Sequence, residues 1–111
     1  MAAQIGRIYQ DELIITGTES PALHIGDRVL CGIVFPAAWT AADLVIQVSL
    51  DGTNWKNLPT AQGTYTVAAD QAQPIEICYF VAWRYIRLTS SNSQASPRTL
   101  TVITVPVIER M

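Results

Sequence analysis

From Leu44 to Leu58 the chain reads LVIQVSLDGTNWKNL, in which Leu44, Ile46, Val48 and Leu50 alternate with Val45, Gln47 and Ser49. A period of two puts those four aliphatic side chains on one face of a pleated strand. Asp51-Gly52-Thr53-Asn54 then supplies turn chemistry, since Gly takes φ > 0 without strain and Asp and Asn bond their own backbone. A second short strand, Trp55 to Leu58, is expected to return beside the first.

The same reading extends along the chain. Met1 to Gln10 lacks clear periodicity and reads as an N-terminal arm, with room for a short strand near Ile5 to Tyr9. Glu12 to Thr16 is a compact β-branched run closed by Gly17-Thr18-Glu19-Ser20-Pro21. Arg28 to Phe35 is apolar at nearly every position, as in a strand covered on both faces, and Gly32 within it marks a bulge or a close backbone approach. Pro36 to Asp43 is alanine-rich and fits a short helical turn. Further strands are expected at Thr64 to Val67, Ile75 to Phe80, Arg84 to Ser90 and Arg98 to Val105, with polar loops at Ala68 to Pro74 and Ser91 to Pro97 and a C-terminal tail from Pro106 to Met111. About eight strands with frequent turn signals and no long helix predict an all-β fold, a single antiparallel β-sandwich over residues 1–111.

Composition narrows the function classes. With 111 residues, 50% of them hydrophobic, the chain fills one core. Only 14% are charged and the formal charge is −2, so no basic field collects nucleic acid, and a surface this thin in charge favours packing against partners. No basic segment leads into an apolar run at the start, so no secretory signal is expected, and no run is long enough for a membrane helix. Cys31 and Cys78 read as free thiols, buried or half-buried, ahead of a disulfide.

Catalytic chemistry has little to stand on. Any Ser-His-Asp or Cys-His arrangement must use His24, the one histidine, and its segment has no nucleophile elbow. Two cysteines and one histidine show no zinc-ligand spacing. Asp51, Thr53 and Asn54 offer oxygen ligands for calcium, but a plain turn explains them without an ion. No cofactor and no enzymatic activity are expected. Binding is a different matter: Trp39, Trp55 and Trp83 stand at or beside turns, where each either stacks on a sugar or anchors an interface, or else plugs the end of the core. Tyr85 and Arg87, with Arg84, form an aromatic and cationic surface too poor in arginine for nucleic acid. Ile5, Ile8, Tyr9, Val107 and Ile108 place apolar side chains in the terminal segments, where a neighbouring subunit is a plausible cover for them.

Two segments, VIQVSLDGTNWKNL (Val45 to Leu58) and WRYIRLTSSNS (Trp83 to Ser93), resemble the strand-turn-strand and later "RYIRL" strand of discoidin-like, galactose-binding-like β-sandwich domains. The chain lacks the bracketing terminal cysteines of the extracellular discoidin domains, and no ligand loop matches residue by residue. The longer runs Pro36 to Val67 and Trp83 to Val102 are similar to small structural proteins encoded among the head and tail genes of tailed bacteriophages. That resemblance implies a virion component made in the bacterial host cytoplasm: a capsid decoration or cement protein, a head-fibre base, or a neck or tail accessory. It would be held to the major capsid protein or other virion proteins, with a homo-oligomer possible and no membrane involved. The rival expectation is a carbohydrate-binding module that presents aromatic loop residues to glycans.

Overall fold

The computed structural model describes residues 8–80 and 82–106. In chain order they form β1 (Tyr9–Glu19), β2 (Leu23–His24), β3 (Arg28–Val34), β4 (Ala42–Ser49), β5 (Lys56–Asn57), the one-turn helix α1 (Thr60–Gly63), β6 (Thr64–Val67), β7 (Ala72–Pro74), a 3-10 turn at Ile77–Tyr79, and β8 (Tyr85–Pro106). The expected all-β, antiparallel, eight-stranded fold is observed, with the strands joined in one sheet.

β8 organises that sheet. Its first part pairs with β4 from Leu44↔Ser90 to Ser49↔Tyr85 on one side, and with β2 on the other. Its last part pairs with β1 from Tyr9↔Thr104 to Ile15↔Arg98 and with β3 from Arg28↔Pro106 to Val34↔Thr101. Fully extended at ~3.3 Å per residue, 22 residues would measure roughly 70 Å, yet the longest dimension of the molecule is 48 Å. The strand therefore bends. Ile86, Leu88, Ser90, Gln94, Leu100, Val102 and Thr104, all on its even-numbered face, are buried, so the sheet curls around that face. Two half-sheets result, β2-β8-β4 with β5 and β6, and β1-β8-β3-β7. They close on one core containing Ile46, Val48, Ile86 and Leu88 from the first and Leu13, Ile15, Ile33 and Leu100 from the second.

Several expectations need correction. The Ser91 to Pro97 loop is instead the middle of β8. Its polar residues are there because they pair with loop backbone in place of a neighbouring strand: Gln94 Nε2 donates to the Thr40 carbonyl (3.0 Å) while its Oε1 accepts from Thr40 N–H (2.8 Å). Ser91 Oγ likewise accepts from Asp43 N–H, and Asn92 Nδ2 donates to the Ala41 carbonyl. Nor is Ile75 to Phe80 a strand. β7 ends at Pro74, and the chain then turns over locally, with Tyr79 N–H donating to Glu76 O and Phe80 N–H to Ile77 O. Ile75 and Phe80 anchor the turn in the core while Ile77 and Cys78 face out.

The hairpin stands as expected, with β5 beside β4 through Gln47↔Asn57 and Val48↔Lys56, and Gly52 at φ +79°. Leu50, however, is 62% exposed and does not share the aliphatic face of Leu44, Ile46 and Val48. The alternation stops because Ser49 is buried and its Oγ accepts the Asp51 and Gly52 N–H groups, turning the chain one residue early. A charge at position 50 would thus meet water and not the core. The bulge sought at Gly32 falls one residue earlier, between Leu30↔Thr104 and Gly32↔Ile103. It turns Cys31 half out, where the thiol lies 3.4 Å from the Ile103 carbonyl. Pro36 to Asp43 is no helix; it holds a single turn, Trp39 N–H to Pro36 O, before β4 begins at Ala42. Tyr9 and Gln10 belong to β1 and not to an arm, and Pro106 closes β8. Ile5, Val107 and Ile108 lie outside the described residues.

Candidate functional site

The residues singled out in the sequence fall in four places. Of its two expected roles Trp39 takes that of core plug and is not on the surface: it is 3% exposed, its Nε1 donates to the Val67 carbonyl and its ring meets Phe35 edge-on at 5.0 Å. Tyr9 turns toward the mouth of the core, half-buried under the Arg28 guanidinium at 4.8 Å, and Arg28 also pairs with Asp11 at 3.2 Å. Those contacts tie β1 to β3 across the curled sheet, so Tyr9 has an intramolecular task.

Trp55, Tyr85 and Arg87 do come together, on the outer face of the β2-β8-β4 half-sheet. The pairing Gln47↔Arg87 sets those side chains side by side, and Gln47↔Asn57 extends the row onto β5. Arg87 Nε donates to Gln47 Oε1 at 2.6 Å, Gln47 Nε2 donates to Asn57 Oδ1 at 2.9 Å, and the guanidinium also reaches Glu19 at 3.5 Å. The same guanidinium covers the Trp55 ring at 4.7 Å from its centroid. One register step along, His24 stacks on Tyr85 at 4.6 Å, and a Cβ at Gly52 would lie 3.3 Å from the Tyr85 ring. The partners Gln47, Asn57 and Glu19 were not singled out from the sequence, and His24 was weighed there only for catalysis, because only the strand register brings them to Arg87 and Tyr85.

Chemically this face is closed. The polar groups of its central row are hydrogen-bonded to one another, and the Trp55 ring has a cation over one side. The hairpin tip is closed as well: Asp51 accepts from Thr53 N–H, Asn54 N–H, Asn54 Nδ2 and Ser49 Oγ. Those hydrogen bonds, led by the Asn54 and Thr53 backbone, hold the Asp51 carboxyl well below the usual carboxylate range. Both oxygens are committed to the turn, which is the role that explains these residues without calcium. No group of three or more His, Cys, Asp or Glu suited to a metal ion occurs among the described residues. None of their helices is long and apolar enough to cross a membrane.

The opposite half-sheet is open. Among the described residues β1 pairs only with β8, so from Gln10 to Glu19 no other described strand lies along its second side. The other edges are blunted: β5 is two residues long and carries Lys56, β6 is four residues, and β7 ends in Pro74. β1 has neither Pro nor Lys. Its outer face, shared with β8 and β3, sets Ile14 opposite Thr99, and Glu12 in line with Thr101 and Val34. Ile8, Ile14 and Val34 there are 60%, 44% and 40% exposed. Of the residues expected to bind, Ile8 belongs to this surface. Val34 was missed because the Arg28 to Phe35 run reads as covered on both faces, and Ile14 because a compact β-branched run does not tell which of its faces is buried.

No family model and no curated protein matches the chain. Its fold is similar to that of a solved structure, the SPBc2 prophage-derived protein YomS, with a TM-score of 0.61 over 94% of this chain and 99% of that one, at 10% sequence identity.

Proposed function

We propose that the chain is a non-enzymatic structural component of a tailed-bacteriophage particle, a capsid decoration, cement or head-fibre-base protein with a discoidin-like sandwich, attached through protein contacts. The observation that carries the proposal is the side of β1 from Gln10 to Glu19 that no described strand flanks, together with the exposed Ile8, Ile14 and Val34 beside it. The register of β1 shifts after Ile15, so its regular open stretch is Gln10 to Ile15, and a regular open stretch templates pairing with an available strand. It is useful where a partner strand adds to the sheet, with main-chain hydrogen bonds giving affinity and alternate side chains giving specificity. Fold likeness to a prophage-derived protein, the low charge and the resemblance to phage head and tail proteins support the same reading.

The test uses particles assembled without this protein. Added back, the wild-type chain sediments with them, whereas a variant carrying Ile8→Lys and Ile14→Lys keeps its melting temperature and stays in the supernatant, because lysines on an edge oppose strand pairing. Undiminished attachment of that variant would refute the role given to β1.

A further inference from the structure

Among the described residues, two large apolar side chains are exposed away from the β1 surface: Leu50 at 62% and Ile77 at 45%. Each has the same kinds of neighbour. Leu50 lines a hollow of about 220 Å³ with the half-buried Trp83 ring and with Lys56. Ile77 lines the cleft between α1 and the segment after β7 with the half-buried Tyr79 ring and with Glu76. Trp83 Nε1 donates to the Tyr79 carbonyl at 3.1 Å, so the two hollows adjoin in one surface. Its halves are alike in kind, an aromatic ring, an exposed aliphatic side chain and a charge, but the charges are of opposite sign. Lys56 and Glu76 are both exposed, and neither is in an ion pair among the described residues. Asp51 also lines the first hollow, but its oxygens accept from Thr53, Asn54 and Ser49.

We propose that this surface joins two copies of the chain about a two-fold axis passing beside Tyr79 and Trp83. Such an axis lays each half of the surface on the other half of the second copy, because an isologous contact is self-complementary. Leu50 then packs against the partner subunit's Ile77, Lys56 meets the partner subunit's Glu76, and the symmetry makes each contact twice. Charge complementarity is what selects a second copy as the occupant: the only two unpaired charges at this surface are a cation in one half and an anion in the other. Burial of the aliphatic side chains and the aromatic edges supplies the affinity. The exposed ion pairs add little energy but fix the register and reject a like-on-like arrangement. None of these residues lies at the β1 edge, so the inference does not rest on the attachment proposed above.

Sedimentation velocity of the whole chain over a range of concentrations tests it. The wild-type chain passes from monomer to dimer as concentration rises, whereas Leu50→Asp, at a position exposed in the single chain, stays folded by circular dichroism and monomeric. Lys56→Glu and Glu76→Lys each weaken dimerisation roughly tenfold or more, since each sets like charges face to face. Mixing these two variants restores the dimer, because both contacts of the mixed pair again join a carboxylate to an ammonium group. Damage to the fold would show no such rescue. A wild-type chain that stays monomeric up to about 1 mM would overturn the inference. So would charge variants that dimerise as the wild type does, a mixture no tighter than its components, or a dimer abolished by Ile8→Lys with Ile14→Lys, which would move the second copy to β1.

Discussion

The two half-sheets share one strand and one core, yet their outer faces are finished in opposite ways. On β2-β8-β4 the polar side chains are spent on each other: Arg87 on Gln47, Glu19 and Trp55, Gln47 on Asn57, His24 on Tyr85. On β1-β8-β3 the outer face sets Ile14, Val34, Thr99 and Thr101 beside Gln10 and Glu12, and among the described residues no strand flanks the second side of β1 from Gln10 on. A satisfied network rigidifies a surface without recruiting a partner. An apolar face with an open edge does the reverse. On the function we propose, the aromatic and cationic patch visible in the sequence is the quiet side of the molecule, and the plainer β-branched strand is the side that takes a partner.

The comparison requires that both halves belong to one folding unit. Leu88 and Leu100, both fully buried, lie on β8 in the first and second half-sheets respectively. Leu88→Ala and Leu100→Ala should each cost about 2–5 kcal/mol and lower a single cooperative transition in thermal or urea unfolding. Two separable transitions would mean that the halves fold independently.

The hairpin comes next in size. Gly52 at φ +79° has the Tyr85 ring 3.3 Å from where a Cβ would stand. Gly52→Val should cost roughly 1–3 kcal/mol by calorimetry through backbone strain. An unchanged melting temperature would mean that the turn relaxes without disturbing Tyr85.

A smaller pair of changes separates the faces directly. Arg87→Ala should lower stability by about 1 kcal/mol, since it removes a cation–π contact and a charge-assisted hydrogen bond from a part-buried site, and should leave particle attachment intact. Ile14→Thr, on an exposed β position, should move stability by no more than about 0.5 kcal/mol while weakening attachment. The opposite pattern would transfer the binding role to the network face.

The smallest effect is at the turn itself. The folded pKa of Asp51 lies below its unfolded value, so its contribution is complete above the ordinary carboxylate range and is lost only as pH falls through the depressed folded value. NMR of the side-chain carboxyl should show Asp51 still ionised at pH values where an ordinary aspartate has protonated. Titration at an ordinary aspartate pH would mean that the bonds from Thr53 and Asn54 do not persist in solution.

How much of this was legible depended on whether local pattern or distant pairing decided the outcome. Strict alternation in Leu44 to Val48 fixes β4, and Gly52 names its own turn, because both depend on neighbours in sequence. The middle of β8 was hidden. Ser91, Asn92 and Gln94 look like loop residues until the Ala41 to Asp43 segment and Thr40 are brought alongside to use their side chains. Ile75 to Phe80 misled for the opposite reason, its alternation being real while Pro74 ends the pairing that a strand would need. Trp39 and Trp55 occupy similar turn-proximal positions in sequence, and only tertiary contacts send one to the core and leave the other under Arg87. That no other described strand flanks β1 beyond β8 is a property of topology, and no residue within Gln10 to Glu19 announces it.

Amide hydrogen exchange, compared between the free chain and the chain bound to particles, tests the central claim most directly. If attachment runs through the second side of β1, amides between Gln10 and Ile15 that exchange in the free protein become protected on binding, while those around Gln47, Trp55 and Asn57 keep their free-state rates. Protection that appears on the Trp55 and Arg87 face, with β1 exchanging as it does in the free protein, would contradict the account.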